Sequence, residues 1–144
     1  MLIKIIAIGK VKEPALAQRC DAYIKWLSSR HKVEVIELKD SGKASEGKAM
    51  LKLLDPAKQF IIAMTEEGKL FRSSEFARFC SSIDKQLVFL IGGPDGLSSE
   101  VKAAAHLQWS LSPLTFPHEF ARLLLTEQLF RASSINANGK YHRE

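Results

Sequence analysis

The strongest chemical signal in this chain is a glycine-rich loop that lies between an apolar run and a helical pattern. The run VFLI (88–91) leads into GGPDG (92–96), and the helical pattern follows from Ser98. A buried strand that ends in such a loop is a common nucleotide-binding place in α/β proteins. The spacing matches neither the G-x-G-x-x-G pattern of dinucleotide-binding proteins nor a P-loop, which requires a lysine. The loop therefore predicts either a ligand site of another kind or a tight turn that glycine permits.

A second loop, LSPLTF (111–116), has a composition suited to a neutral ring. It follows an apolar run directly and carries no charged side chain, so it cannot neutralise a triphosphate. Its backbone amides and carbonyls suit adenine, and its apolar side chains suit the walls of a small-molecule site. The alternative is a proline-stiffened connection whose apolar side chains only fill the core.

Five apolar runs of strand length alternate with five helical patterns along the chain. Strands are predicted at 2–8, 33–38, 59–64, 87–91 and 107–112, and helices at 14–30, 46–55, 73–84, 98–105 and 116–133. This alternation predicts the α/β class, with a mostly parallel sheet and helices on both faces. Ligands of such sheets bind beyond the carboxyl ends of the strands, which places the loops 65–69, 92–98 and 112–119 at one edge. Since no linker or repeat is present and 39–48 reads as a surface loop, residues 1–144 are expected to form a single domain.

The composition narrows the class of protein. Lys and Arg number 21 against 16 Asp and Glu, a net charge of +5 at pH 7 that modestly favours a polyanionic partner. Cys20 and Cys80 lack the spacing of a zinc site or a disulfide framework, so reduced thiols and no metal are expected. Lys4 interrupts the apolar start where a signal peptide requires a continuous core, and no stretch approaches the roughly 20 apolar residues that span a bilayer. A cytoplasmic protein with no membrane partner is therefore expected.

Several segments together resemble the RlmH family, the bacterial large-subunit rRNA pseudouridine N3-methyltransferases of the SPOUT class. The segments are FLIGGPDGLS (89–98), WSLSPLTFPHEFARLLLTEQLFRA (109–132) and GKYHRE (139–144). The opening IKIIAIGK (3–10) and EGK (67–69) extend the likeness over essentially the whole chain. Three long segments in this order are highly specific.

The resemblance implies S-adenosylmethionine as cofactor and a deep trefoil knot in the carboxyl-terminal part of the chain. The family's cofactor contacts fall on Met64, Gly92, Leu111, Ser112, Pro113, Leu114, Thr115 and Phe116. Pro113 has no backbone N–H, so the second loop has one donor fewer than six ordinary residues would supply.

The tail KYHRE (140–144) contains the predicted catalytic residues. His142 is the best side chain to assist loss of the N3 proton, since imidazoles titrate near neutrality. Tyr141 is expected to stack on the extruded base, and Arg143 to contact phosphate or stabilise the developing uracil anion. The alternative is an ordinary frayed terminus. Neither a metal nor a covalent intermediate is required, because a sulfonium leaves as a neutral group.

The predicted last helix is apolar on more than one side. Its apolar residues cover more of the helix surface than the single stripe that packs on a core, which favours a partner subunit. These residues are Phe120, Leu123, Leu124, Leu125, Leu129 and Phe130. The resemblance likewise implies a homodimer. It also implies the substrate, which is N3 of a pseudouridine in helix 69 of 23S rRNA, in the assembled ribosome.

Several positions and functions keep open alternatives. Arg122, Arg131, Lys10 and Lys12 are either phosphate contacts or solvated charges. His118 is expected to cap or pack at the start of the last helix. Two other functions remain: a noncatalytic RNA- or ribosome-binding module with the same fold, and a small protein that binds another nucleotide.

Overall fold

The structure, a computed structural model, describes residues 1–143 and contains one five-stranded sheet in this range. The strands are β1 (Leu2–Ile8), β2 (Lys32–Leu38), β3 (Gln59–Leu70), β4 (Gln86–Ile91) and β5 (Leu107–Ser110). Their order is β2-β1-β4-β3-β5, and every pairing is parallel. The helices are α1 (Pro14–Ser28), α2 (Lys43–Leu51), α3 (Ser73–Ser82), α4 (Ser99–Ala104) and α5 (His118–Asn136). The predicted α/β class and parallel sheet are confirmed.

The helices cover both faces of the sheet, as the strand sequences require. Alternate side chains of a strand point to opposite faces. Ile3 and Ile5 of β1 pack in a cluster with residues of α1, α3 and α5, whereas Ile6 and Ile8 pack with residues of α2 and α4. On the first face the rings of Phe76 and Trp109 stack with centroids 4.2 Å apart, which fastens α3 to β5.

Helix α2 begins three residues before its predicted start and ends four residues early. The Glu46 carboxylate accepts hydrogen bonds from the backbone N–H groups of Ser41 and Gly42, both at 3.0 Å. A carboxylate that reaches back in this way satisfies amide donors that a helix start leaves without partners. The prediction of a surface loop over 39–48 is therefore wrong for residues 43–48, which are helical.

Helices α3 and α4 both begin at a Ser-Ser-Glu sequence but are capped differently. Ser98 caps α4, where its hydroxyl accepts the N–H of Val101 at 3.3 Å. At α3 the Ser73 hydroxyl is not the cap; the Glu75 carboxylate accepts the N–H of Arg72 at 2.7 Å instead.

Strand β3 is longer than predicted and contains an excursion. Met64 and Lys69 both lie opposite Trp109 of β5, so residues 65–68 leave the ladder and return to it. At the return, a Cβ on Gly68 would lie 2.6 Å from the backbone carbonyl carbon of Gln108, so only glycine fits there. The predicted loop 65–69 is thus an excursion within a strand, at the predicted edge of the sheet. The trefoil knot stays a prediction.

Candidate functional site

A cavity of about 800 Å³ opens at the carboxyl edge of β3, β4 and β5. It is walled by the excursion of β3, the glycine loop after β4, and the loop after β5, the three segments that the topology rule places at one edge. Of the predicted cofactor residues, the wall contains Met64, Gly92, Leu111, Ser112, Leu114, Thr115 and Phe116. Pro113 is exposed and is not part of the wall. The structure therefore brings seven of the eight residues together.

Gly92 is the point where the cavity wall is tightest. A Cβ at this position would lie 2.6 Å from the carbonyl carbon of Gly96, a distance that real side chains essentially never show. The loop closes on itself through a hydrogen bond from the Gly96 N–H to the Gly93 carbonyl at 3.0 Å. The glycines therefore do form a tight turn, and that turn is one wall of the cavity.

The loop 111–116 is shaped by its own serines. The Ser110 hydroxyl donates to the Ser112 carbonyl at 2.8 Å, and the Ser112 hydroxyl accepts the N–H of Leu114 at 3.1 Å. These bonds occupy the Ser112 carbonyl and the Leu114 N–H, two of the backbone groups that were expected to bind a ligand. The Leu114 side chain is 70% exposed, so this apolar wall is open to solvent in the described chain.

The β3 excursion is tied to both sides of the cavity by its two carboxylates, which composition alone did not reveal. Glu66 accepts a hydrogen bond from the Thr115 hydroxyl. Glu67 forms an ion pair with Lys102 of α4 at 2.5 Å, and this partner lowers the pKa of Glu67 below its usual value. Glu66, Glu67 and Lys102 all line the cavity.

Of the two roles expected for His118, capping or packing, the cap is excluded, because the cap position of α5 is Pro117 and no side-chain bond caps the helix. His118 is the first residue of α5 and lines the cavity. The next residue, Glu119, accepts the backbone N–H groups of Lys12 and of Glu13, the latter at 3.1 Å. These two hydrogen bonds lower the pKa of Glu119 below its usual value. The start of α5 is thereby fastened to the segment that leads into α1.

The carboxyl-terminal tail packs on α1 and α5, and its aromatic residue is held on three sides. The Tyr141 hydroxyl donates to Glu127 at 3.0 Å and lies 3.2 Å from the Tyr23 hydroxyl. Its ring meets Phe130 edge to face at 4.8 Å, and the Arg131 guanidinium lies 4.9 Å from its centroid. Burial, followed by the bonds to Tyr23 and Glu127, raises the pKa of Tyr141. This packing is more specific than that of a frayed terminus.

The other two predicted catalytic residues differ in their surroundings. His142 lies with Nδ1 3.1 Å from an Arg131 guanidinium nitrogen, and Arg131 also forms an ion pair with Glu127. Arg143 is exposed. Tyr141, His142 and Arg143 are not part of the cavity wall. Ala121, the last α5 residue of the wall, precedes Arg131 by ten residues, which is about 15 Å along a helix.

The arginines of α5 are not solvated charges. Arg122 forms an ion pair with Glu37 at 2.6 Å and donates to the Gly9 carbonyl at 3.3 Å. Arg131 forms an ion pair with Glu127 and a hydrogen bond with His142. Lys10 and Lys12, in contrast, are exposed. Of the four predicted phosphate contacts, the two lysines are the more accessible.

Two histidines, His31 and His106, have partners that sequence reasoning missed, because the partners are distant in the chain. His31 Nε2 lies 2.7 Å from the Ser133 hydroxyl and Nδ1 lies 2.8 Å from the Met1 ammonium; burial first, then this charge, lowers the pKa of His31. His106 Nδ1 accepts the Ile61 N–H at 2.9 Å. Neither residue lines the cavity.

Within residues 1–143 there is no group of acidic, histidine or cysteine side chains arranged to hold a metal ion.

Over the same range no helix combines the length and apolar character that a membrane span needs. Cys20 and Cys80 are buried free thiols, and burial raises the pKa of Cys80 to about 12.

Comparison with known proteins agrees with the geometry of the site. A family model described as predicted SPOUT methyltransferase matches residues 1–142. The chain is 42% identical over 142 residues to ribosomal RNA large subunit methyltransferase H of Prochlorococcus marinus (strain NATL2A), covering 98% of this chain and 95% of the relative. It is 44% identical to the protein of the same name from Parasynechococcus marenigrum (strain WH8102), covering 97% and 95%.

One solved structure has a similar fold. The structure of a probable methylase family protein from Haemophilus influenzae Rd KW20 aligns with a TM-score of 0.58 and 13% identity, covering 99% of this chain and 70% of that chain. At this identity only the fold is comparable. On the family model and the full-length relatives together, the chain belongs to the SPOUT methyltransferases and, among them, to the ribosomal RNA large subunit methyltransferase H family.

Proposed function

We propose that the protein is an S-adenosylmethionine-dependent methyltransferase that acts on 23S rRNA in the assembled ribosome. Its target is N3 of a pseudouridine in helix 69. The observation that carries the proposal is the cavity, since its wall contains seven of the eight residues that match the family's cofactor motif. The names of the relatives, which cover nearly the whole chain, support rRNA as the substrate class.

The cavity fits the cofactor in size and in chemistry. Its volume of about 800 Å³ lies in the range of 300–1,000 Å³ that is usual for small-molecule sites. Leu111 and Phe116 supply apolar walls for adenine, and the absent side chain of Gly92 lets the glycine loop fold tightly into one wall of the cavity. Glu66 adds a carboxylate to the wall, which suits a ligand that carries positive charge, whereas the charge of Glu67 is balanced by Lys102.

When bound, S-adenosylmethionine supplies a methyl group on a sulfonium centre whose leaving group is neutral. The residues of the chain therefore have to hold and align the reacting groups, and alignment alone can supply about 7–11 kcal/mol of a barrier. The loop 111–116 and Gly92 orient the ligand, while the excursion of β3 ties the two sides of the cavity together. Tyr141, His142 and Arg143 are proposed to bind the target nucleotide.

The distance between the tail and the cavity of one chain supports a homodimer in which each site combines the cavity of one copy with the tail of the other. In one chain the tail contacts α5 at Glu127, Phe130 and Arg131, about 9 to 15 Å along the helix from Ala121 of the cavity wall. We propose that a second copy supplies the tail to each cavity. The exposed Phe120 and the half-buried Leu123 and Leu124 are surface available for that second copy.

The proposal is tested by transfer of radiolabelled methyl groups from S-adenosylmethionine to purified ribosomes, with and without the target pseudouridine. We expect label only on ribosomes that contain the pseudouridine. Cofactor binding without label on either substrate would mean a different acceptor. Ribosome binding without cofactor binding would favour the noncatalytic module instead.

The shared site is tested with mixed dimers. One protomer carries Gly92→Val, which deforms the turn that forms one wall of the cavity, and the other carries His142→Ala, which alters the tail. If the second copy supplies the tail, the mixture regains part of the turnover that each homodimer lacks. Without recovery in a mixture shown to exchange subunits, the cavity and tail of one chain must act together.

A further inference from the structure

The cavity wall combines one loop without charge with segments that carry charge. The loop 111–116 has no charged side chain. The other segments of the wall contribute the acidic and lysine side chains, which are Lys43, Glu66, Glu67, Asp95 and Lys102. S-adenosylmethionine has a similar division, because adenine is neutral and the amino acid end carries a carboxylate and an ammonium. Each charge at that end needs an opposite charge in the wall.

Lys43 is the lysine of the wall that has no acidic partner. Lys102 is paired with Glu67 at 2.5 Å. Among residues 1–143 no ion pair includes Lys43, and this residue is exposed. Lys102 is the main cause of the lowered pKa of Glu67, and the charge of Lys43 adds to it, so Lys43 lies near the same part of the wall. A cation that no acidic side chain neutralises is therefore present there for an anionic group of a ligand.

The backbone of Lys43 is fixed by the packing of α2. The Glu46 carboxylate accepts the backbone N–H groups of the two residues before Lys43, both at 3.0 Å. A Cβ on Gly47 would lie 2.5 Å from the Ser98 hydroxyl oxygen, so α2 lies directly against the segment that follows the glycine loop. The start of α2 is thereby held at the cavity, and only the flexible lysine side chain has to move to reach a ligand.

The stability of α2 does not explain a lysine at position 43. Lys43 is the first residue of this helix. The amino-terminal end of a helix carries a partial positive charge, so an acidic side chain is favourable there and a lysine is unfavourable. A residue that breaks a local rule without a structural gain is typical of a functional site.

We infer that Lys43 binds the carboxylate of the amino acid end of S-adenosylmethionine, and that α2 is thereby part of the binding site. The inference rests on the proposed function. It adds a residue that lies outside the three loops at the strand ends and outside the residues that match the family's cofactor motif. Adenine then lies at the loop 111–116, and the amino acid end lies on the side of α2.

The inference is tested with two ligands that differ in the carboxylate. Isothermal titration calorimetry of the full chain measures the affinity for S-adenosylmethionine and for S-adenosyl-3-methylthiopropylamine, which keeps the sulfonium and the ammonium but lacks the carboxylate. We expect Lys43→Met to lower the affinity for S-adenosylmethionine by about tenfold, as for the loss of a hydrogen bond between charged groups. The affinity for the analogue should not fall, because it has no carboxylate for the lysine to bind.

The sign of the change separates a direct contact from a long-range effect. Both ligands carry a net positive charge, so removal of a lysine that does not contact them would strengthen the binding of both. A Lys43→Met variant that binds S-adenosylmethionine as tightly as the wild type, or more tightly, would overturn the inference. Equal losses for the two ligands would also overturn it, since the loss would then not depend on the carboxylate.

Two further variants show whether the position of the cation matters. Lys43→Arg keeps a cation and should retain most of the affinity for S-adenosylmethionine. Lys48→Met is the matched control, because Lys48 is an exposed lysine of the same helix that does not line the cavity. It should bind both ligands as the wild type does. An equal loss in Lys48→Met would assign the effect to the charge of the helix and overturn the inference.

Thermal unfolding separates binding from stability. We expect the unfolding midpoint of Lys43→Met to equal or exceed that of the wild type, because an unfavourable charge at the start of α2 is removed. A midpoint that falls together with the affinity for both ligands would make Lys43 a structural residue.

The inference and the proposed function fail in different ways. A wild type that binds neither ligand would contradict the proposed function, and the inference with it. A wild type that binds S-adenosylmethionine, with undiminished binding in Lys43→Met, would contradict the inference alone. If that variant also binds ribosomes more weakly, the lysine contacts an RNA phosphate instead.

Discussion

At the scale of single residues, the cavity depends on positions where a side chain is excluded. Gly92→Ala places a Cβ against the Gly96 carbonyl carbon, where 2.6 Å is available, so the turn has to open. We expect cofactor affinity to fall by at least about tenfold, since a turn that has opened no longer has the shape of this cavity wall. Isothermal titration calorimetry measures the affinity.

Gly42→Ala is the control for this substitution. Gly42 has a φ of 93° and open space around its Cβ position, and it does not line the cavity. Alanine should therefore cost about 1–3 kcal/mol of the free energy of unfolding through backbone strain and leave cofactor affinity intact. Equal affinity losses in the two variants would show that destabilisation, and not the shape of the turn, is responsible.

At the scale of elements, the β3 excursion acts through its ties to neighbouring loops. Thr115→Val removes the hydrogen bond to Glu66 and keeps the volume and the charge of the wall. We expect a several-fold faster release of the cofactor, measured by stopped-flow dissociation, with little change in the unfolding midpoint. Glu66→Gln, which can still accept the bond, should release the cofactor more slowly than Thr115→Val. If the order is reversed, the carboxylate charge matters more than the tie.

The fastening of α5 to the segment before α1 predicts a dependence of stability on pH. Hydrogen bonds from Lys12 and Glu13 lower the pKa of Glu119 below its usual value of 4.5. A depressed carboxyl pKa stabilises the folded state above the unfolded-state pKa, and that stabilisation is lost as pH falls through the folded-state pKa. The difference in unfolding midpoint between the wild type and Glu119→Gln should be present at pH 7 and shrink below about pH 4. A difference that persists at pH 3 would assign the effect to geometry.

The element scale also shows what sequence could and could not predict. Pro14 marks the first residue of α1 as predicted, because proline suits a first helical turn and local chemistry decides the position. The excursion of β3 was missed, because its return is fixed by pairing of Lys69 with Trp109, forty residues away. The early start of α2 was missed for a different reason: the side chain that binds its first amides, Glu46, lies inside the helix and not at a cap position before it. The cavity loops, which include Glu66 and His118, were found because the ends of parallel strands share one edge, whereas Lys102 of α4 reaches the wall only through packing.

At the scale of the whole molecule, the proposed homodimer predicts that the apolar surface of α5 is buried between two subunits and that a charged side chain placed there prevents dimerisation. Phe120 of α5 is 46% exposed in the described chain. Phe120→Asp should convert the dimer to a monomer in sedimentation velocity, because a buried unpaired carboxylate is costly. Leu53→Asp is the control, since Leu53 is 36% exposed in the connection between α2 and β3. A dimer that survives Phe120→Asp would place the interface elsewhere.

The strand order has a consequence for how the chain is made. β4 lies between β1 and β3, which are both synthesised before it, so each keeps an open apolar edge until residue 91 exists. Open strand edges invite pairing with other chains. Among the strands of residues 1–143, no pair is joined by a tight hairpin: the nearest partners, such as Gln59 and Gln86, are 27 residues apart (86 − 59). Such nonlocal pairing slows folding, and the other edge of β3 stays open until β5 is made, so the nascent protein remains exposed to pairing with other chains until most of its length exists.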